Sequence, residues 1–295
     1  MKQAMIIINP TSGKEDAPQH VRNVEEVLHD AGYNVTVKET AKEGDATHFC
    51  ITACENGYDL VVSIGGDGTL NETINGLSDQ DPRPKLGVVP LGTVNDFARA
   101  LQIPLNPAEA IQTLTSTRVK NVDMGRLNGR VFANVVATGS LAETLSSVSS
   151  DDKSKFGALA YFKEGIKDLR NPAQPLVIHH DGETWEGHSP LFLAALTNSV
   201  GGFEKLAPDA TVDDGLLHCF IIKDLTVLNT ITIGISLLVG SLKDHKDVVY
   251  FTAKNLSVHS VESVRTNVDG EEGPPLPIEL SIIPRHIQVI VPEED

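Results

Sequence analysis

The sequence predicts an α/β domain built on a parallel sheet, followed by an antiparallel β-sandwich. Three observations carry that prediction. The first 120 residues alternate short apolar runs with segments of helical periodicity. The runs Met5–Ile8 and Tyr58–Ile64 show almost no polar alternation, as expected of strands covered on both faces. Further on, strand-length segments follow one another, and Asn128-Gly129 and Asp181-Gly182 join two pairs of them with dipeptides that favour tight hairpins.

Taken in order, Ala4–Asn9 is expected to be a strand. Asp16 is a plausible helix cap with Gln19 three residues on, and Val21, Val24, Leu28 and Ala31 follow at helical spacing until Gly32. Asn34–Glu39 reads as a strand, Asp45–Asn56 as a helix, Tyr58–Ile64 as a strand, Leu70–Leu77 as a short helix and Leu86–Pro90 as a strand. Helices follow at Asn95–Leu101 and Pro107–Thr115. In the second half, strands are expected at Val119–Leu127, Val131–Ala137, Leu176–His180, Thr184–His188, Leu191–Thr197, Leu216–Ile222, Val248–Val258, Ser263–Val268, Ile278–Ile283 and Ile287–Val291. A helix at Phe156–Arg170 and an amphipathic, buried helix within Leu225–Leu242 interrupt them. The domain boundary falls near Asp123. The first domain is expected at 1–122, with 285–295 a candidate to return to it, and the second at 123–284.

Bulk composition narrows the function. The 295 residues carry 24 Lys plus Arg against 40 Asp plus Glu, a net charge of −16. So acidic a chain is a poor nucleic-acid binder. Three cysteines without a CxxC do not make a disulfide framework, and Cys50 and Cys54 share a helix face with Ala46, Phe49 and Ala53. Polar residues interrupt the longest apolar region, so it reads as a core helix rather than a bilayer span. A cytoplasmic protein is expected. Lys163, Lys167 and Arg170 share one helix face and could make transient contact with an anionic membrane, although Glu164 and Asp168 interleave and a solvated face fits better. The ten histidines form no zinc motif, and no Gly-x-Ser-x-Gly elbow occurs.

The stretch richest in chemistry is Ser63-Ile64-Gly65-Gly66-Asp67-Gly68-Thr69. A buried strand runs into three glycines and then a helix. Glycines let backbone N–H groups approach a phosphate, and a helix start adds a positive dipole end. The pattern is neither a Walker A loop nor GxGxxG. An acid inside such a loop repels phosphate unless a divalent cation lies between them or it serves a hydroxyl group. Asn9-Pro10-Thr11-Ser12-Gly13-Lys14 and Gly92-Thr93-Val94-Asn95 follow two other first-domain strands, and parallel sheets bind ligands at that edge. Together the loops outline a nucleotide crevice, with Asn9, Ser12, Thr69 and Thr93 as neutral donors and Lys14 as a cation.

Acids also cluster in the second domain. Asp269 and Glu271 are two apart, so an extended backbone points both to one face, where they could hold Mg²⁺ or take a proton from a hydroxyl. A plain turn with solvated glutamates is the alternative. Asp209, Asp213 and Asp214 crowd the approach to Gly215, a pattern that suits either a cation loop or a solvated turn.

Gly65-Gly66-Asp67-Gly68-Thr69-Leu70-Asn71-Glu72, with Gly92-Thr93-Val94-Asn95-Asp96-Phe97-Ala98-Arg99, resembles the diacylglycerol kinase catalytic family, in particular its soluble bacterial lipid kinases. That family shares a superfamily with sphingosine kinases and NAD kinases. Many members have Gly where Val94 stands. The resemblance implies an ATP- and Mg²⁺-dependent kinase whose nucleotide is held by Asn9, Pro10, Thr11, Ser12, Gly13, Thr40, Gly65, Gly66, Asp67, Gly68, Thr69, Leu70, Asn71, Glu72, Thr93 and Asn95. It implies Glu271 as general base, with Asp67, Asp123 and Asp269 as further catalytic acids. A structural Mg²⁺ is implied on Asp214 and the backbone oxygens of Thr211 and Leu216. The acceptor would be a lipid hydroxyl at a membrane surface, most naturally diacylglycerol. Another lipid alcohol, a soluble metabolite as in the NAD kinase branch, a non-catalytic nucleotide sensor, and a homodimeric assembly all remain open at this point.

Overall fold

The structure, a computed structural model, describes residues 1–12, 17–139, 173–223 and 227–293. The chain forms two compact units: Met1–Val122 with Arg285–Asp295, and Asp123–Pro284.

In the first unit, β1 (Lys2–Ile8), β2 (Tyr33–Glu39), β3 (Leu60–Gly65) and β4 (Lys85–Pro90) form a parallel ladder in the order β2-β1-β3-β4. The end of β16 (Ile278–Ile290) joins the far side of β4 in parallel, with Val289 opposite Leu86. Ile6, Ile7, Val61 and Val62 are all fully buried, so side chains on both faces of the ladder are covered. The covering helices are α1 (Ala17–Asp30), α2 (Asp45–Glu55), α3 (Asp67–Ser78), α4 (Asp96–Ala100) and α5 (Pro107–Thr113). Val24 and Leu28 form the buried stripe of α1, and Ala46, Cys50, Ala53 and Cys54 that of α2. The Asn106 side chain caps α5 by accepting from the N–H groups of Ala108 and Glu109, with Pro107 in the first turn.

The second unit holds two antiparallel sheets. One has the order β12 (Val248–Ala253), β11 (Leu217–Ile222), β10 (Leu191–Ala195), β7 (Val135–Thr138), β14 (Arg265–Val268) and β15 (Glu271–Pro275). The other runs from the beginning of β16 through β13 (Asn255–His259) and β8 (Gln174–His180) to β9 (Glu183–Ser189). Phe192, Cys219 and Ile221 of the first pack with Ile178, Val258 and Ile278 of the second in one core. A second cluster, including Leu206, Phe220 and Ile233, covers the other face of the six-stranded sheet. The end of β5 (Val119–Leu127) pairs with β6 (Arg130–Phe132) across Asn128 and Gly129, whose φ values are 45° and 97°.

Four expectations change. The strand expected at Val131–Ala137 is two strands, because the Asp269 carboxylate takes the N–H groups of Ala133, Asn134 and Val135 out of the ladder. The strand expected at Val248–Val258 also divides, into β12 and β13 on different sheets. There the Asp181 carboxylate accepts from Lys254 and Asn255 N–H. Conversely, the strands expected at Ile278–Ile283 and Ile287–Val291 are the single β16. The helix expected within Leu225–Leu242, α6 (Val227–Val239), is only partly buried, since Ile235, Leu238 and Val239 are exposed. Among the described residues no helix is long and apolar enough to cross a membrane. The Asp16 cap, the helix at Phe156–Arg170, and with it Lys163, Lys167 and Arg170, lie outside the described residues.

Candidate active site

β3 ends at Gly65 and α3 begins at Asp67, with Gly66 between them in extended conformation. The N-cap residue, Gly66, has no side chain with which to cap this helix. Leu91 N–H donates to Gly65 O at 2.8 Å, and Asn95 N–H to Asp67 Oδ2 at 2.9 Å. Asn95 sits at φ 55°, ψ 47° and closes its own turn: its Oδ1 accepts from Gly92 N–H at 3.0 Å, and its Nδ2 donates to Gly92 O at 2.8 Å. Val94 therefore needs no left-handed backbone; Asn95, which tolerates it better, takes that conformation. A Cβ on Gly92 would lie 2.7 Å from Gly66 Cα. The two glycine loops thus lie backbone against backbone, and Asp67 stitches them together. A cavity of about 10 Å³ behind the loop, lined by Ser63, Asp67, Asn95 and neighbours, is the size of one water.

The parallel register sets Ile8 beside Ile64 and Gly65 beside Pro90, so the loops after β1, β3 and β4 share one edge of the sheet. Asn9 opens the first loop, its Oδ1 accepting from Thr11 N–H at 3.0 Å and Thr11 Oγ1 at 2.8 Å, while Ser12 N–H donates to Asn9 O. Pro10, Thr11, Gly68 and Thr93 are exposed there, and Thr40 N–H donates to Ile8 O at the same edge. Gly13 and Lys14 lie outside the described residues. Gly65 is needed because a Cβ would strike the Thr69 side chain at 2.8 Å. A glycine-lined helix start flanked by hydroxyls fits a phosphate chain, and the acid within the loop would need a divalent cation between itself and that chain.

The rest of the motif turns inward. Leu70 and Asn71 are buried, and Asn71 Oδ1 accepts from Asn75 Nδ2. Glu72 Oε2 accepts from Ala46 N–H at 3.1 Å, near the start of α2, and Glu72 O accepts from Thr47 Oγ1. Glu72 thus ties α3 to α2, and within the motif Gly68 is exposed, Gly66 and Asp67 are half-buried, and Gly65 and Thr69 are buried. One buried acid beside the stitched loops was part of the second motif but was given no role: Asp96, 8% exposed, opens α4 next to Asn95. Its signal was its place in Asn95-Asp96-Phe97, at a predicted helix start.

In the second unit, Asp123 is 3% exposed. Its N–H donates to Val212 O at 2.7 Å, and its Oδ2 accepts from Gly215 N–H at 2.6 Å. The loop that grips it closes on Asp214, whose Oδ2 accepts from Thr211 N–H and Oδ1 from Leu216 N–H, both at 3.0 Å. Asp214 also meets His218 Nε2 at 3.0 Å. Burial opposes ionisation of Asp214, but the His218 bond and the two backbone donors outweigh it and hold the carboxyl below its ordinary value. Among the described residues no three His, Cys, Asp or Glu side chains cluster as a metal site. A cation at this loop would have to rely on Asp214 with the backbone oxygens of Thr211 and Leu216.

The expectation that Asp269 and Glu271 share a face does not hold. Asp269 (φ 50°) and Gly270 (φ 92°) form the turn of the β14–β15 hairpin, so the backbone between them is not extended. Asp269 Oδ2 accepts from Ala133 N–H at 2.7 Å, and its Oδ1 from Asn134 and Val135 N–H at 2.9 and 2.8 Å. That carboxylate is a backbone clamp. Glu271 begins β15 with a half-exposed side chain, 3.2 Å from Arg130 Nη2. It is the acid of the pair that faces solvent.

The chain combines a parallel α/β unit, with glycine loops at one sheet edge that suit phosphate, and an antiparallel β-sandwich. Comparison narrows this further. Residues 3–127 match the diacylglycerol kinase catalytic domain, and residues 134–291 the YegS C-terminal NAD kinase beta sandwich-like domain. The chain is 40% identical over 296 residues to the diacylglycerol kinase of Bacillus subtilis, covering 100% of this chain and 98% of that one. It is 40% identical to that of Staphylococcus haemolyticus, covering 99% and 89%. A crystal structure of a diacylglycerol kinase from Bacillus anthracis aligns with TM-score 0.78 at 26% identity, covering 99% of this chain and 97% of that one. Another from the same organism reaches 0.85 at 27%, covering 99% and 95%. The chain belongs to the diacylglycerol kinase family, and it is a lipid kinase.

Proposed function

We propose that this enzyme transfers the γ-phosphoryl group of ATP, with Mg²⁺, to the free hydroxyl of diacylglycerol and releases phosphatidic acid. The observation that carries the reading is the pair of glycine loops stitched by Asp67 and Asn95 over a helix start whose N-cap residue is Gly66. Nothing larger than hydrogen fits at Gly92 without parting the loops, so the two backbones stay close together at the sheet edge. The N–H groups at the start of α3 orient the phosphates, and the hydroxyls of Ser12 and Thr93 add donors along the same edge. Mg²⁺ supplies charge neutralisation where Asp67 and phosphate oxygens would otherwise repel. Glu271 accepts the proton of the lipid hydroxyl. Its carboxylate is solvent-facing, and Arg130 steadies it through an exposed pair that contributes little to stability.

The test is transfer from radiolabelled ATP, with and without Mg²⁺, to mixed micelles containing diacylglycerol, phosphatidylglycerol or a polyprenol, and to NAD in solution. Labelled phosphatidic acid that requires Mg²⁺ supports the reading. Label on NAD alone, or ATP binding without transfer, overturns it. Glu271→Gln should lower kcat by about 10² to 10⁴ with the KM for ATP unchanged. A variant with near-wild-type turnover would remove Glu271 as the base.

A further inference from the structure

The grip on Asp123 has a foundation that the kinase reading does not use. His218, on β11, is 3% exposed and sits between two partners. Its Nε2 lies 3.0 Å from Asp214 Oδ2, and its Nδ1 lies 2.8 Å from Tyr250 Oη. The Asp214 carboxylate, ionised at neutral pH, can only accept, so Nε2 carries a proton and donates to it. In the neutral ring Nδ1 then accepts from the Tyr250 hydroxyl. Tyr250, on β12, stays a phenol, because burial pushes its pKa above the usual tyrosine value. The phenol ring lies 23° from the imidazole plane and packs on Phe220 at 5.0 Å, so sheet residues set its position. The order of contacts is therefore Tyr250, His218, Asp214, then the N–H groups of Thr211 and Leu216. In the same loop, Gly215 and Val212 hold Asp123.

We propose that His218, oriented by Tyr250, is a positioning residue that fixes the 211–216 loop and through it the carboxylate of Asp123. Only the turnover part of this proposal rests on the kinase reading above. An imidazole suits the task because it presents two nitrogens on opposite sides of a rigid ring, one to a carboxylate and one to a hydroxyl. Phenylalanine would fill much of the same space but leave Asp214 and the Tyr250 hydroxyl short of a buried partner. Glutamine can still donate to Asp214.

The experiment compares wild type, His218→Phe, His218→Gln, Tyr250→Phe and the double variant His218→Phe/Tyr250→Phe. It reads amide hydrogen exchange over residues 211–216 together with kcat and the KM for ATP. His218→Phe should speed exchange in that segment and lower kcat by about tenfold or more, while the KM for ATP stays within about twofold. His218→Gln should recover part of both losses. Tyr250→Phe should give a smaller effect of the same kind and add nothing on top of His218→Phe. Wild-type exchange and kcat in His218→Phe would overturn the proposal, as would full additivity of the two substitutions. Should His218→Phe fail to fold, Tyr250→Phe alone decides: wild-type exchange over 211–216 would overturn the proposal. If wild type labels no lipid, the kinase reading fails, and the exchange data still decide whether His218 holds the loop.

Discussion

At the scale of single residues, the acids of this protein divide by what their oxygens already hold. Asp269 and Glu271 are two apart, yet one accepts three backbone N–H groups and the other faces water beside an arginine. An acid whose lone pairs are filled by the main chain organises structure, and one held by an exposed side chain is available for chemistry. Asp269→Ala would leave three amides to find other acceptors, and it should cost about 3 kcal/mol or more in a urea unfolding experiment. A loss below about 1 kcal/mol would show that water replaces the carboxylate easily. Asp67 has a share in both kinds of work. Its Oδ2 ties Asn95 to the glycine loop, its Oδ1 is buried there, and the chemistry proposed for it is charge beside a phosphate.

Among the elements, the packing of α2 on α3 depends on one absent methyl group. A Cβ on Gly76 would lie 2.5 Å from Thr47 O and 2.6 Å from Cys50 Cβ. Gly76→Ala gains helix propensity of about 1 kcal/mol, but it must push backbone aside, at a cost of about 1–3 kcal/mol. The variant should therefore melt lower than wild type; a higher melting temperature would mean that the helices can separate freely. The parallel ladder and its helices were legible because Ile6, Ile7, Val61 and Val62 sit in unbroken apolar runs and Val24 and Leu28 at helical spacing. The glycine loops were legible from glycines that follow buried strands and from the resemblance of both motifs to one family. Strand ends in the sandwich were not. Ala133 to Val135 and Lys254 to Asn255 look like continuing strand, and the carboxylates that interrupt them, Asp269 and Asp181, lie far away in sequence. At Asp269-Gly270 the sequence allowed either an extended pair of acids or a plain turn, and the chain adopts the turn because Asp269 binds three backbone N–H groups.

For the whole molecule, the charge of −16 is partly structural. Asp45 is held below its ordinary value chiefly by the Ala41 N–H, and Glu293 by the N–H of Thr117 with the hydroxyls of Ser116 and Thr117. Carboxyls lowered in the folded state contribute stability that is complete above their unfolded values, 3.8 for Asp and 4.5 for Glu, and that is lost as pH falls through the folded values. The urea midpoint should therefore be flat near neutrality and drop steeply below about pH 4.5. Glu293→Gln should lie below wild type near neutrality and converge on it in acid; a constant offset at every pH would show that Glu293 does not titrate with folding. One more consequence follows from β16, whose closing residues complete the first unit's ladder beside β4. During synthesis the second unit emerges whole before those residues leave the ribosome. Until they do, β4 presents a bare row of amides and carbonyls to solvent. A nascent chain stalled before residue 285 would thus be a natural client for chaperones, and a truncation there should form aggregates through that open margin.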